Sequence, residues 1–150
     1  MTRLYLLFVF IFFLSCSKTQ SENNLKLVSN VLEENKKVYE LFLAQGNAKP
    51  DLTGLKEAVR KASISADKDS LKKSFSEMLA VLESANQSET AGSISVFSEK
   101  LYSTLKAEEI SSGYRKFYCP MEKKFWLAKG DDVKNPYAPE MRECGELVQE

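Results

Sequence analysis

The residues of this chain best suited to chemistry lie close together near its end. Cys119, Met121, Met141 and Cys144 supply two thiols and two thioethers, and the same stretch carries the only tryptophan, Trp126, and three of the four prolines, Pro120, Pro136 and Pro139. Thiolate and thioether are soft donors, and a set of two Cys and two Met without imidazole suits Cu(I), with Ag(I) as its mimic. Structural zinc sites draw on four Cys and His ligands, and this chain has no histidine. The two cysteines also make a disulfide pair, which would close a loop of about 26 residues and contribute roughly 3 to 3.5 kcal/mol on the chain-entropy account. Metal site and disulfide are competing states of one pair of thiols.

Which state is favoured depends on where the chain resides. Residues 1–16 read MTRLYLLFVFIFFLSC, with one charge at Arg3, an apolar run over residues 4–14 and a small residue before Cys16. That is the layout of a secretory signal. Its apolar core, about a dozen residues, falls short of the roughly 20 that span a bilayer. The ending Phe13-Leu14-Ser15-Cys16 resembles a bacterial lipobox. The resemblance implies removal of residues 1–15 and acylation of Cys16, a membrane anchor of several acyl chains that holds where a single chain would be marginal. An ordinary signal peptide or an uncleaved anchor is the alternative. Ser17, rather than the aspartate associated with inner-membrane retention, favours the outer membrane of the cell envelope. Export places the thiols in an oxidising compartment, where a remaining pair of cysteines makes the disulfide the first state to expect.

Removing residues 1–15 removes only Arg3 among the charged residues, which leaves 20 basic against 21 acidic side chains. A near-neutral surface gives no electrostatic reason to bind nucleic acid. The missing histidine also removes the commonest general base. No serine sits in a Gly-x-Ser-x-Gly elbow and no glycine-rich phosphate loop exists. The chain is therefore not read as an enzyme. A redox enzyme is the weakest reading of the cysteines, since they form no Cys-x-x-Cys motif.

The rest of the chain must position this cluster. Residues 17–24, SKTQSENN, contain no apolar side chain and read as a tether. Leu25, Val28, Leu32, Tyr39 and Phe42 then form one helical stripe, with Asn35 its polar member, and predict a helix over residues 24–45 that Gly46 and Asn47 end. Leu52, Leu55, Val59 and Ala62 mark a second helix, with Asp51 or Thr53 as its cap. Leu71, Phe75, Met78 (or Leu79) and Leu82 mark a third, capped by Asp67 or Asp69, and Met78 reads as core packing. Ile94, Phe97, Leu101 and Leu105 mark a fourth, running to about residue 109. Four amphipathic helices on short connections predict an all-α fold, a four-helix up-down bundle over residues 25–148 with an irregular cysteine-containing cap over residues 115–148. In that cap residues 114–118 read as extended, and Phe125, Trp126 and Leu127 as a plug on the bundle end. Residues 130–132 and 135–137 read as turns, and Pro139 as the start of a short helix with Met141 and Cys144 on one face, closed by Gly145.

Cys119-Pro120-Met121, Trp126-Leu127, Asn135-Pro136-Tyr137 and Met141-x-x-Cys144-Gly145-Glu146 together resemble the signature of a family of uncharacterised exported bacterial domains. These domains also form the C-terminal part of periplasmic adaptor subunits of copper and heavy-metal efflux pumps. The resemblance spans about residues 25–148, with its specific motifs in residues 117–146, and it implies soft-metal handling with an efflux system or another envelope protein as partner. Ala138 stands where members often carry glycine, and the helices lack the family's histidines, so sites built on imidazole do not carry over. The expected function is Cu(I) binding through Cys119, Met121, Met141 and Cys144 for resistance or handover to efflux. The alternative is a structural module whose Cys119–Cys144 disulfide shapes a docking surface of Phe125, Trp126 and Tyr137.

Overall fold

A computed structural model of the chain describes residues 2–45, 49–85, 89–130 and 133–149, with the backbone alone for residues 2–21 and 45. The side chains of the expected signal segment, the acceptor Cys16, the Gly46-Asn47 stop and the Asp131-Asp132 turn lie outside the described residues. Four helices follow one another: α1 (Thr2–Gln45), α2 (Thr53–Ser65), α3 (Asp69–Ser84) and α4 (Thr90–Ala107). Then come strands β1 (Arg115–Cys119) and β2 (Lys124–Ala128), a short 3-10 turn (Pro139–Met141) and strand β3 (Glu146–Leu147).

The stripes on α2, α3 and α4 are buried at the expected positions, including Met78 rather than Leu79 on α3. On α1 the buried set is wider than one stripe: Leu27, Val31 and Val38 join Val28, Leu32, Asn35 and Phe42. Leu25 departs from expectation and is 49 % exposed, because it lies on the rim of an open groove with Val28, Leu32, Ile110 and Tyr114. Consecutive helices pack on one another, which buries each apolar face without long connections.

Side chains near the helix ends fix the turns. The Asp51 carboxylate accepts the Thr53 backbone N–H at 2.9 Å, ahead of α2, and hydrogen bonding by the Thr53 side chain first and its backbone second holds the carboxyl below the usual range. At the α2–α3 turn the buried Asn24 accepts the Asp67 N–H at 2.8 Å. Asn23 Nδ2 donates to the Ser65 carbonyl at 3.0 Å, so one of the carbonyls that a helix end leaves free finds a partner on α1. These two asparagines, at the close of the expected tether, thus hold tertiary contacts within the α1 helix.

The all-α expectation is overturned. Residues 115–147 contribute a three-stranded antiparallel sheet in the order β2-β1-β3, so the fold is mixed α and β. Phe117 pairs with Trp126 and Tyr118 with Phe125 across β1 and β2, and Phe117 with Leu147 across β1 and β3. Aromatic cross-strand pairs of this kind are a main source of sheet stability. The link between β1 and β2 is residues 120–123, with Lys123 in the left-handed region at φ 52°. Because side chains alternate along β1, Phe117 and Cys119 both point inward. Strand β2 packs on α4 and touches α1, and its Trp126, Leu127 and Ala128 are all buried. The Phe125 N–H is taken up by the buried hydroxyl of Ser95 on α4 at 2.8 Å, which ties the sheet to the helices.

Candidate functional site

The site is assembled from three segments: the end of β1, the turn after it and the loop over residues 133–145. Cys119 is the last residue of β1 and is completely buried by the inward face of the sheet. Cys144 follows the 3-10 turn, donating its backbone N–H to the Met141 carbonyl at 3.0 Å, and is half-buried. The expected helix from Pro139 is thus a single 3-10 turn ending at Met141, and Cys144 lies beyond it in a reverse turn. The two sulfurs, 25 residues apart in the chain, stand 2.7 Å from one another as free thiols.

What keeps the loop in this place is Arg142, which the sequence reading passed over. Its guanidinium donates to the carbonyls of Asn135 at 2.7 Å and Pro136 at 3.1 Å on one side. On the other it reaches Leu43 at 3.0 Å and Phe42 at 3.4 Å, near the C-terminal end of α1. A cation at a helix C-terminus meets free carbonyls and the negative end of the dipole. The backbone N–H of Asn135 in turn donates to the Arg142 carbonyl at 2.7 Å. The only sequence signal for this role was a basic residue inside the motif, which by itself reads as a solvated charge.

Asn135-Pro136-Tyr137 is the second support. Asn135 is fully buried, and its Oδ1 accepts the Tyr137 N–H at 2.9 Å. The Tyr137 hydroxyl donates to the Phe125 carbonyl at 2.9 Å, and its ring meets Phe42 and Trp126 edge-on. Burial pushes the Tyr137 phenol far above its ordinary value. Asn135 Nδ2 has no partner of ordinary hydrogen-bond geometry. Its amide is among the groups that favour the Cys119 thiolate.

The two thiols are inequivalent. Burial pushes Cys119 up, but the Cys144 thiol, the N–H groups of Glu122 and Met121 and the Asn135 amide together outweigh it, and Cys119 lies below its ordinary value. The Glu122 N–H is 3.4 Å from the sulfur. Cys144 is pushed up by its hydrogen bond to Cys119, then by burial and by the negative charge of Cys119. The contact between the two sulfurs is one that either thiol could donate.

The remaining expected site residues divide. Met121 and Met141 are 68 % and 37 % exposed, so neither belongs to the buried core. Of the proposed docking surface, Trp126 and Tyr137 are 2 % and 6 % exposed and only Phe125 is half-buried, so the three do not form an outer face. Their aromatic bulk serves the interior instead: Phe117 stacks on Trp126 at 5.8 Å between ring centres. Among the described residues no cluster of three or more His, Cys, Asp or Glu could hold a metal ion. No family model, curated protein or solved structure matches this chain.

Proposed function

We propose that this chain is a lipid-anchored protein of the cell envelope that takes up a soft monovalent ion, Cu(I) first, through the Cys119 and Cys144 thiolates with thioether support from Met121 and Met141. The supporting observation is the meeting of two thiols from distant segments, with Met121 and Met141, near them in sequence, kept out of the core. Thioethers outside the core are accessible to a soft ion, and ligation is a use for them. The donor set fits the ion; the spacing fits after one movement. Two thiolates sharing a metal at about 2.3 Å each need their sulfurs roughly 4 Å or more apart. Cys144, on a half-exposed turn after Met141, is the member free to move outward. The resemblance of the motif to domains of copper efflux adaptors supports handover to such a system as the purpose.

The test is an anaerobic Cu(I) titration of the reduced mature protein against a competing chromophoric chelator. One ion per chain is expected, weakened by Met121→Leu with Met141→Leu and abolished by Cys119→Ser with Cys144→Ser. Affinity equal in the wild type and the double cysteine variant would sink this reading.

A second reading is favoured by the 2.7 Å separation itself, which needs less than an ångström to reach a disulfide bond of about 2.05 Å. In it the resting form of the cap is a Cys119–Cys144 disulfide that staples β1 to the loop over residues 133–145. In an oxidising compartment the two readings are successive states, and reduction precedes metal uptake.

A further inference from the structure

We infer that the Cys119–Cys144 pair is a one-way thiol–disulfide exchange site, opened by a dithiol reductant that attacks Cys144 and expels Cys119 as the leaving thiolate. The inference rests on the disulfide state of the proposed function and is independent of the metal.

Exchange requires the incoming thiolate to reach one sulfur in line with the bond, while the other departs with the electron pair. Access separates the two sulfurs here. Cys119 is sealed on the inward face of β1, whereas Cys144 sits on a half-exposed turn. Attack on Cys119 would have to come through the sheet, the Asn135 loop or the β1–β2 turn.

The departing side is built to receive charge. Glu122 N–H lies 3.4 Å from the Cys119 sulfur, and the Met121 N–H and the Asn135 amide also favour its thiolate. Asn135 cannot turn to another partner. Its Oδ1 is held by Tyr137 N–H, its N–H is spent on the Arg142 carbonyl and its own carbonyl is held by the Arg142 guanidinium. Its buried Nδ2 is otherwise unpartnered. Donors fixed in advance around the site of developing charge stabilise that charge without reorganisation. Asn135 is therefore a positioning residue for the exchange.

The first thiolate of the reductant bonds to Cys144 Sγ, the bond between Cys144 and Cys119 breaks, and its electron pair leaves on Cys119 Sγ. The second thiolate of the reductant then attacks its own sulfur in the mixed disulfide and releases Cys144. The reductant ends as a disulfide, and the pair gains two electrons and takes its protons from solvent.

The probe is glutathione, a monothiol that stops at the mixed disulfide, applied to the oxidised mature protein with acid quenching and peptide mass mapping. The adduct is expected on Cys144 in roughly tenfold or greater excess over Cys119, since attack follows access and the leaving thiolate follows stabilisation. An adduct on Cys119, equal adducts, none on either while the bond is reduced, or failure of the pair to oxidise would each overturn the inference. Asn135→Asp keeps the acceptor for Tyr137 N–H and removes the amide N–H that favours the Cys119 thiolate. It should slow reduction by dithiothreitol roughly tenfold while the adduct stays on Cys144; an unchanged rate in a variant with wild-type melting removes Asn135 from the role. Cu(I) is absent throughout, so failure of metal uptake and failure of directional exchange are read separately.

Discussion

A Cβ placed on Gly145 would stand 2.5 Å from Cη2 and 2.8 Å from Cζ2 of Trp126. The glycine is needed for room rather than for an unusual backbone angle, because the edge of the indole lies flat against the chain just after Cys144. Gly145→Ala must lift that segment or tilt the ring out of its stack with Phe117. Overpacking of this kind costs about 1–3 kcal/mol. Urea denaturation should show that loss, and emission from Trp126, the only tryptophan, should shift to the red. Wild-type stability and emission together would mean the loop yields freely and does not clamp the indole.

Arg142 gives the second prediction. Its guanidinium serves four carbonyls, two in the loop and two near the end of α1. Arg142→Met leaves them without that donor and should cost about 2–3 kcal/mol by denaturant titration, the range for charged hydrogen bonds partly replaced by water. Arg142→Lys should recover less than half of this. One ammonium carries the charge but not the planar fork that spans both pairs of acceptors. Full rescue by lysine would show that charge at the helix end, rather than the bridging geometry, is what matters.

These two residues also mark where sequence reasoning reached and where it stopped. The helices were legible because Leu55, Val59 and Ala62, or Phe97, Leu101 and Leu105, repeat at three and four on the buried face. Cys119 and Cys144 stood out as a pair by their chemistry, and their sulfurs lie 2.7 Å apart. The sheet was not legible, because Lys124-Phe125-Trp126-Leu127-Ala128 is buried over three successive residues and shows no alternation. Its strand character comes from the partner β1 and from cover on both faces, neither of which is local. For the same reason Trp126 and Tyr137 read as a plug or docking face, when the sheet and Gly145 enclose them. Arg142 and Asn135 were invisible as supports, since their partners are backbone atoms that any sequence supplies.

Glu108, just after α4, sets a pH dependence. Its carboxylate accepts from Lys68 Nζ at 2.8 Å and from the Ser70 hydroxyl at 2.6 Å, linking α4 to the start of α3. The Lys68 bond first and the Ser70 bond second hold its carboxyl below the ordinary value of 4.5, against the opposing push of burial. A folded-state value below the unfolded one gives stability that is complete above the unfolded value. It is lost as the pH falls through the folded one. Glu108→Gln should therefore cost about 1 kcal/mol at neutral pH. The gap from wild type should narrow as the pH drops below 4.5. A gap that stays constant with pH would assign the loss to packing instead of charge.

The last prediction concerns oxidation of the two thiols. Joining Cys119 to Cys144 ties β1 to the loop that carries Arg142, and it closes a segment with only short strands and one 3-10 turn of regular structure. Restricting that loop in the unfolded chain should raise stability by about 3 kcal/mol over the reduced form. Because the sulfurs already stand side by side, little backbone strain offsets the gain. Thermal denaturation with and without a reductant reads the difference directly, and Cys144→Ser should melt at one temperature under both conditions. Met121→Leu with Met141→Leu should keep the full oxidised-to-reduced difference, since both side chains lie outside the core. If that variant lost the difference, the methionines would be acting on the fold of the cap and not as ligands held ready beside it.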